Sequence, residues 1–237
     1  MTGPSPGPSY HQTSRAAIRR VHARNPYAYY VRRLPLRLRT LVTGLELPAG
    51  GRVLDYGCAD MPYRAFFPDG VDYVGADLAG NGEAEVILNG DGTLPLPNAT
   101  FDAVMSTQVL EHVEDPRAYL SECFRVLRPG GRLLLSTHGV FPYHPDPVDL
   151  WRWTCEGLRS EIESAGFSIL HFEGIVGLAA TGIQLLQDAI SYRIPPRWVP
   201  RLALVMQPLV ALADRFETPR TRGYNAAVFA LIGVRSR

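Results

Sequence analysis

The chain has 237 residues, 46% of them hydrophobic and 20% charged, a globular composition that excludes wholesale disorder, collagen and coiled coil. Its formal net charge is +1, so no global field points to a nucleic-acid or membrane partner. All 24 basic residues are arginines, which excludes Schiff-base and phosphate-loop lysine chemistry; three scattered cysteines (Cys58, Cys123, Cys155) argue against a disulfide scaffold or zinc ribbon.

Residues 1–13 are rich in proline, glycine and serine and are expected to form a disordered tail. They have no apolar core, so no signal peptide is expected, and no long apolar run suggests a spanning helix; the expected location is cytoplasmic. Residues 14–47 read as a helical arm, with eight arginines between Arg15 and Arg39, interleaved tyrosines and no acid before Glu46. The arm is either a solvated arginine face packed on the domain or a lid that touches a cofactor or a phosphate-bearing partner. The domain proper is expected over 48–237.

Short apolar runs with turn signals between them predict strands at 52–56, 72–76, 85–88, 102–106, 132–137, 168–172 and 227–234. A helix is expected after an Asp115 cap and Pro116, with Leu120, Cys123, Phe124 and Leu127 on one face and Pro129-Gly130-Gly131 as its stop. A second runs from a Thr154 cap to Gly166 as left-handed terminator. Strands alternating with helices imply an α/β fold with a mostly parallel sheet. The connections after the second and third strands are too short for full helices, so the 14–47 arm is the candidate cover for one sheet face. Residues 174–222 interrupt the pattern as a helical insertion, packed on the sheet or a second copy, or forming a patch that approaches a membrane.

The segment Val53-Leu54-Asp55-Tyr56-Gly57-Cys58-Ala59-Asp60 runs an apolar strand into an acid and then small residues. Ligands of such sheets sit beyond the carboxyl ends of the strands, and Gly57 and Ala59 allow close backbone approach. Asp77, twenty residues past Gly57, suits a ribose diol, and Asp91, followed by Gly92, a purine amine. The dinucleotide pattern G-x-G-x-x-G is absent, with Ala59 and Pro62 at its second and third glycines. An acid in the loop, Asp60, opposes a pyrophosphate and suits a cation.

These residues resemble the class I S-adenosylmethionine-dependent methyltransferases, in particular the methyltransferase type 11 group, over about residues 51–169. The 53–59 segment resembles the first cofactor motif. Asp91-Gly92-Thr93-Leu94-Pro95-Leu96-Pro97 with Phe101-Asp102 resembles the adenine-side loop, and Gln108-Val109-Leu110-Glu111-His112-Val113 the segment after strand four. Leu127-Arg128-Pro129-Gly130-Gly131 resembles the turn into strand five. The departure is Ala59, where the family usually has glycine. The resemblance implies a Rossmann-like seven-stranded sheet whose last strand is antiparallel, and S-adenosyl-L-methionine as cofactor. The residues implied for its binding are Asp55, Gly57, Cys58, Ala59, Asp77, Leu78, Asp91, Gly92, Gln108 and His112. No metal is expected. Pro62-Tyr63 and the 144–154 segment resemble relatives found with glycan or natural-product pathways.

For methyl transfer to a hydroxyl, His112, His138 and His144 are candidate bases, and His138 and His144 are the catalytic expectation. Tyr143, Asp149, Trp151 and Arg152 are expected on the substrate side, with Arg152 paired to Asp149 or Asp146. The expected function is methyl transfer to a small-molecule or glycan acceptor at oxygen. The alternatives are an RNA methyltransferase using the arginine arm, or a non-catalytic cofactor-binding scaffold. Nucleic acid is the less favoured partner, and the 174–216 stretch is a candidate for peripheral membrane contact or a homodimer. Asn25-Pro26-Tyr27-Ala28 is similar to the N-P-P-Y loop of amino-methylating enzymes but does not follow strand four, so it is read as coincidence.

Overall fold

The computed structural model describes residues 22–146 and 148–236; the expected tail and the start of the arm at 14–21 lie outside them. The arm's described part is helix α1 (Ala28–Thr43), whose Leu34, Leu38, Leu41 and Val42 recur at helical spacing and are buried. The strands are β1 (Arg52–Tyr56), β2 (Asp72–Asp77), β3 (Val86–Ile87), β4 (Phe101–Thr107), β5 (Leu127–His138), β6 (Phe167–Gly177) and β7 (Ala226–Arg235). Between them lie α2 (Pro116–Val126), α3 (Cys155–Ser164), α4 (Leu178–Ser191), α5 (Val199–Arg215) and the short α6 (Pro219–Tyr224).

The strands form one seven-stranded sheet in the order β3-β2-β1-β4-β5-β7-β6. The first five pair in parallel, and β7 runs antiparallel between β5 and β6. Strand residues alternate between two buried faces. Leu54, Val104, Leu133 and Leu135 meet α2 and α3 through Leu120, Cys123, Leu158 and Ile162. Val53, Met105 and Leu134 meet Leu38, Leu41 and Val42 of α1, with Val210 of α5 in the same cluster. The arm therefore covers the sheet face that the short connections after β2 and β3 leave open.

The caps follow the sequence. Asp115 accepts from the Arg117 and Ala118 amides, Thr154 accepts from Gly157, and Gly166 holds φ at 96°. The expected stop at Pro129-Gly130-Gly131 is corrected: α2 ends at Val126, and β5 already starts at Leu127, paired with Phe101. The register then jumps to Ala103–Arg132, so the Pro-Gly-Gly loop is an irregularity inside the strand pair. The insertion also starts later than expected, because β6 stays paired with β7 until Gly177–Ala226. Gly174 permits this: a Cβ there would lie 2.0 Å from the Arg222 carbonyl oxygen of α6.

Candidate functional site

The loop after β1 is shaped by its own backbone. Gly57, at φ 85°, donates its amide to the Ala76 carbonyl at 2.8 Å, and a Cβ there would lie 2.4 Å from Val109 Cγ2. Ala59 and Met61 also take positive φ, 48° and 49°, where L side chains are strained. Asp77 holds this loop: its Oδ2 accepts from the Ala59 amide and from Asn81 Nδ2, each at 2.8 Å, while Oδ1 accepts from the Leu78 amide. A carboxylate offers about four acceptor positions, so room remains for a diol hydroxyl. Asn81 also donates to the Ala59 carbonyl at 2.7 Å, a role the sequence reading missed.

Asp55 is 1% exposed. Tyr73 donates its hydroxyl to Oδ2 at 2.6 Å, and Oδ1 is buried without a hydrogen-bond partner. Burial pushes the Asp55 carboxyl up to about 7, with nearby Asp77 acting in the same direction and the Tyr73 hydrogen bond against it. An orphaned buried carboxylate oxygen at the start of this loop fits a cationic ligand better than a phosphate. Burial likewise pushes the Cys58 thiol up to about 12, so it is an inert packing group beside Gly75.

The loop after β3, expected on the purine side, is braced from α2. Arg125 donates to the Leu94 and Leu96 carbonyls and pairs with Glu122, which accepts the Leu94 amide. Asp91 accepts from the Thr93 amide and hydroxyl, which hold its carboxyl below the usual range, and Gly92 sits at φ 81°. Leu78 is half-exposed at the end of β2.

The segment after β4 joins the arm to the site. Gln108, at φ 57°, accepts from the Tyr30 hydroxyl of α1 at 2.8 Å and donates to Ser136 Oγ at 3.1 Å. His112 Nδ1 bonds the Val148 carbonyl. Glu111, named in the motif but not as a site residue, is fully buried; Thr137 Oγ1 donates to its Oε2 at 2.8 Å. Its Oε1 lies 3.1 Å from His138 Nδ1, out of line for a hydrogen bond. Burial pushes Glu111 up to about 8 and His138 well below the usual histidine range, so it favours the uncharged form of both.

The three candidate histidines do come together. His138 stacks on Phe141 at 3.9 Å, and the His144 ring lies 5.6 Å from His138 and 5.9 Å from His112. Arg152 braces the loop that carries His144: it pairs with Asp149 and donates to the Phe141 and Pro142 carbonyls. Asp149 Oδ2 also accepts the His144 amide at 2.6 Å. Trp151 Nε1 donates to the Val113 carbonyl and its ring stacks on Trp153. Asp149, Trp151 and Arg152 thus shape the loop, and Tyr143 is 70% exposed on it.

A narrow, largely apolar cleft lies beside Phe141, lined also by Tyr27, Tyr30, Leu185 and Val210. The Asn25-Pro26-Tyr27 segment, which brings Tyr27 to this cleft, is anchored within the fold. Gln184, Gln187 and Gln207 all donate to the Pro26 carbonyl, at 3.1, 2.7 and 2.7 Å. Two arm arginines are engaged within the fold, Arg37 with Glu173 and Arg33 at 3.8 Å from Asp214. No group of three or more His, Cys, Asp and Glu side chains among the described residues is arranged to hold a metal ion.

A family profile described as a methyltransferase domain matches residues 27–169. A protein of Mycolicibacterium smegmatis named a "probable S-adenosylmethionine-dependent methyltransferase" is 35% identical over 51% of this chain and 53% of its own length. A ubiquinone biosynthesis O-methyltransferase of Xanthomonas oryzae pv. oryzae is 34% identical over 44% of this chain and 49% of its own length. The chain thus spans about half the length of these curated relatives. Among solved structures, the cyclase SpnF is similar with a TM-score of 0.55 at 21% identity, over 84% of this chain and 80% of that one. That likeness carries the fold alone.

Proposed function

Because the chain belongs to the methyltransferase-domain family, we propose that it is an S-adenosylmethionine-dependent methyltransferase acting on an oxygen of a small-molecule or glycan acceptor. The observation that carries this reading is the acidic, phosphate-averse loop end: Asp77 pins the Ala59 amide, and buried Asp55 keeps an unpartnered oxygen. Asp77, with the 57–59 backbone, would hold the ribose; the Asp91–Gly92 turn would meet the adenine; Asp55 would answer the positive charge. When bound, S-adenosylmethionine supplies an electrophilic methyl carbon on a positive sulfur.

The chain's own residues do the rest. Tyr30, hydrogen-bonded to Gln108, ties the arm to the segment after β4, where it would help to keep water from the reacting groups. His144, on the loop braced by Arg152, takes the proton from the acceptor hydroxyl. Neutral His138, stacked on Phe141, fixes the wall against which His144 sits. Oxygen as the target is supported by the relative named an O-methyltransferase. The arginine-arm RNA reading is less favoured, since Arg33 and Arg37 face acids of the fold.

The test is calorimetric titration of the full chain with S-adenosylmethionine, then transfer of labelled methyl to pooled hydroxylated acceptors. Saturable binding with transfer is expected. Binding without transfer to any acceptor points to the scaffold reading, and no binding removes the proposal.

A further inference from the structure

Helix α4 turns polar groups inward: it buries Thr181, Gln184, Gln187 and Asp188 beside Ala180. α5 buries Gln207 and Asp214 among Val199, Ala203, Met206 and Val210, so it carries apolar residues on its inner and its outer face. Facing outward, Val205, Leu209, Leu212 and Phe216 recur at intervals of four, three and four residues and are 62, 45, 53 and 78% exposed. Leu186 of α4 is 55% exposed as well. The inner glutamines satisfy one another, with Gln207 Nε2 donating to the side-chain oxygens of Gln184 and Gln187 at 2.9 Å. With apolar residues on its inner face as well, α5 has no need of this outer row for its own packing, and a row of exposed apolar residues along a helix marks a contact surface.

The charge around this face identifies what it meets. No acid occurs between Asp188 and Asp214, while Arg193, Arg197 and Arg201 do. All three are exposed, as are Tyr192 and Trp198 between the helices, and Arg201 lies over the Trp198 ring at 4.9 Å. Arginines with exposed tryptophan and tyrosine beside an uncharged apolar helix face complement an anionic headgroup layer over acyl chains. A second copy of the chain would bring the same positive loop. No helix among the described residues is long and apolar enough to cross a membrane. Leu185 and Val210 of these helices line the cleft beside Phe141, which stacks on His138.

We propose that the outward face of α4 and α5, with Arg193, Arg197, Arg201 and Trp198, docks on the surface of an anionic bilayer. The docking does not depend on the methyltransferase reading; it stands on the helices themselves.

The experiment is co-sedimentation of the full chain with phosphatidylcholine vesicles, with and without phosphatidylglycerol, at low and high salt and without cofactor. Binding is expected only to the anionic vesicles, weakened by salt, and reduced roughly fivefold for each arginine changed to glutamine at 193, 197 and 201. Val205→Asp with Leu209→Asp should abolish it while leaving the melting transition and cofactor titration unchanged. Tryptophan emission of the unmodified chain should shift to the blue on anionic vesicles, and Trp198→Phe should remove the shift; this readout does not depend on the aspartate variant folding. Equal binding to neutral vesicles, or none to either kind, overturns the docking. A dimer that the aspartates split, without vesicle binding, assigns the face to a second copy instead. Vesicle binding without methyl transfer leaves the docking intact and removes only the enzymatic reading.

Discussion

Glu111 Oε1 and His138 Nδ1 face each other across 3.1 Å in a place where the two side chains are 0% and 2% exposed. Burial makes this an uncharged pair, a carboxylic acid beside a neutral imidazole. Between the ordinary carboxyl value of 4.5 and about 8, the folded chain keeps a proton on Glu111 that the unfolded chain has released. Stability therefore falls as pH rises through that window. His138 acts in the opposite sense: below its ordinary 6.5 the unfolded chain binds a proton that the folded chain refuses, so stability falls as pH drops. Glu111→Gln keeps the shape and deletes the fall with pH, changing the slope by up to about 1.4 kcal/mol per pH unit: it flattens above the ordinary histidine value of 6.5, and below 6.5 it leaves the opposing His138 limb uncompensated. Urea unfolding across this pH range measures it. An unaltered slope would mean that Glu111 is ionised in the fold.

His144 is the histidine of the cluster on the loop that Arg152 braces. His144→Ala should cut turnover by roughly a hundredfold to ten-thousandfold, the usual worth of a positioned base, with cofactor affinity unchanged. Single-turnover rates alongside calorimetric titration separate the two effects. A normal rate in this variant assigns the proton to another group.

Asp77 carries two functions that substitution can divide. Asp77→Ala removes both the charge and the acceptor that pins the Ala59 amide, whereas Asp77→Asn retains an acceptor for that amide. Cofactor affinity should collapse in the alanine variant and fall less in the asparagine variant; both should fold, with the melting transition lowered more by alanine, which leaves the Ala59, Leu78 and Asn81 donors without their acceptor. Titration of the two proteins decides it, and unchanged affinity in Asp77→Ala takes the acid out of the cofactor site.

The parts of this molecule that were legible in the sequence are those governed by local chemistry. The β1 run into Gly57, the Asp115 and Thr154 caps and the Gly166 terminator depend on residues a few positions apart, and they stand where the sequence put them. The three histidines were legible as loop residues, but their meeting depends on the Arg152–Asp149 brace. Glu111 was hidden because an acid in an apolar run looks the same whether it faces water or a buried imidazole. The end of β6 was missed because its pairing partner, β7, lies some fifty residues later in the chain and the polar His171 and Glu173 mask its pattern. The three glutamines around Pro26 answer to a segment more than 150 residues away, which no local pattern encodes.

Ala59 sits at φ 48°, in the left-handed region that costs an L residue about 1–2 kcal/mol. Ala59→Gly removes that strain, partly offset by the greater entropy of the unfolded glycine. A net gain on the order of 1 kcal/mol is expected, a rise of roughly 2–4 °C in melting temperature for a chain of this size. Calorimetric melting checks it, and a lower melting temperature would show that the alanine methyl packs against something worth more than its strain.

Asp214 ties together four elements. It is fully buried; its Oδ2 accepts the Tyr29 hydroxyl of α1 at 2.6 Å, and its Oδ1 accepts the Gly177 amide at the end of β6 at 2.8 Å. Arg222 of α6 donates to Oδ1 at 3.2 Å, and burial together with this acid pushes the Tyr29 hydroxyl up to about 12. Asp214→Ala would leave a mostly buried guanidinium, a buried amide and a buried hydroxyl without their acceptor, at a cost of about 3–5 kcal/mol. Asp214→Asn keeps an acceptor and should cost less. Because the break falls between α1 and the β6–α4 junction, amide exchange should accelerate first in α1 and α6, with the β1, β4 and β5 core still protected. Uniform acceleration across the sheet would contradict this, because it would make Asp214 part of the global fold rather than the anchor of the arm.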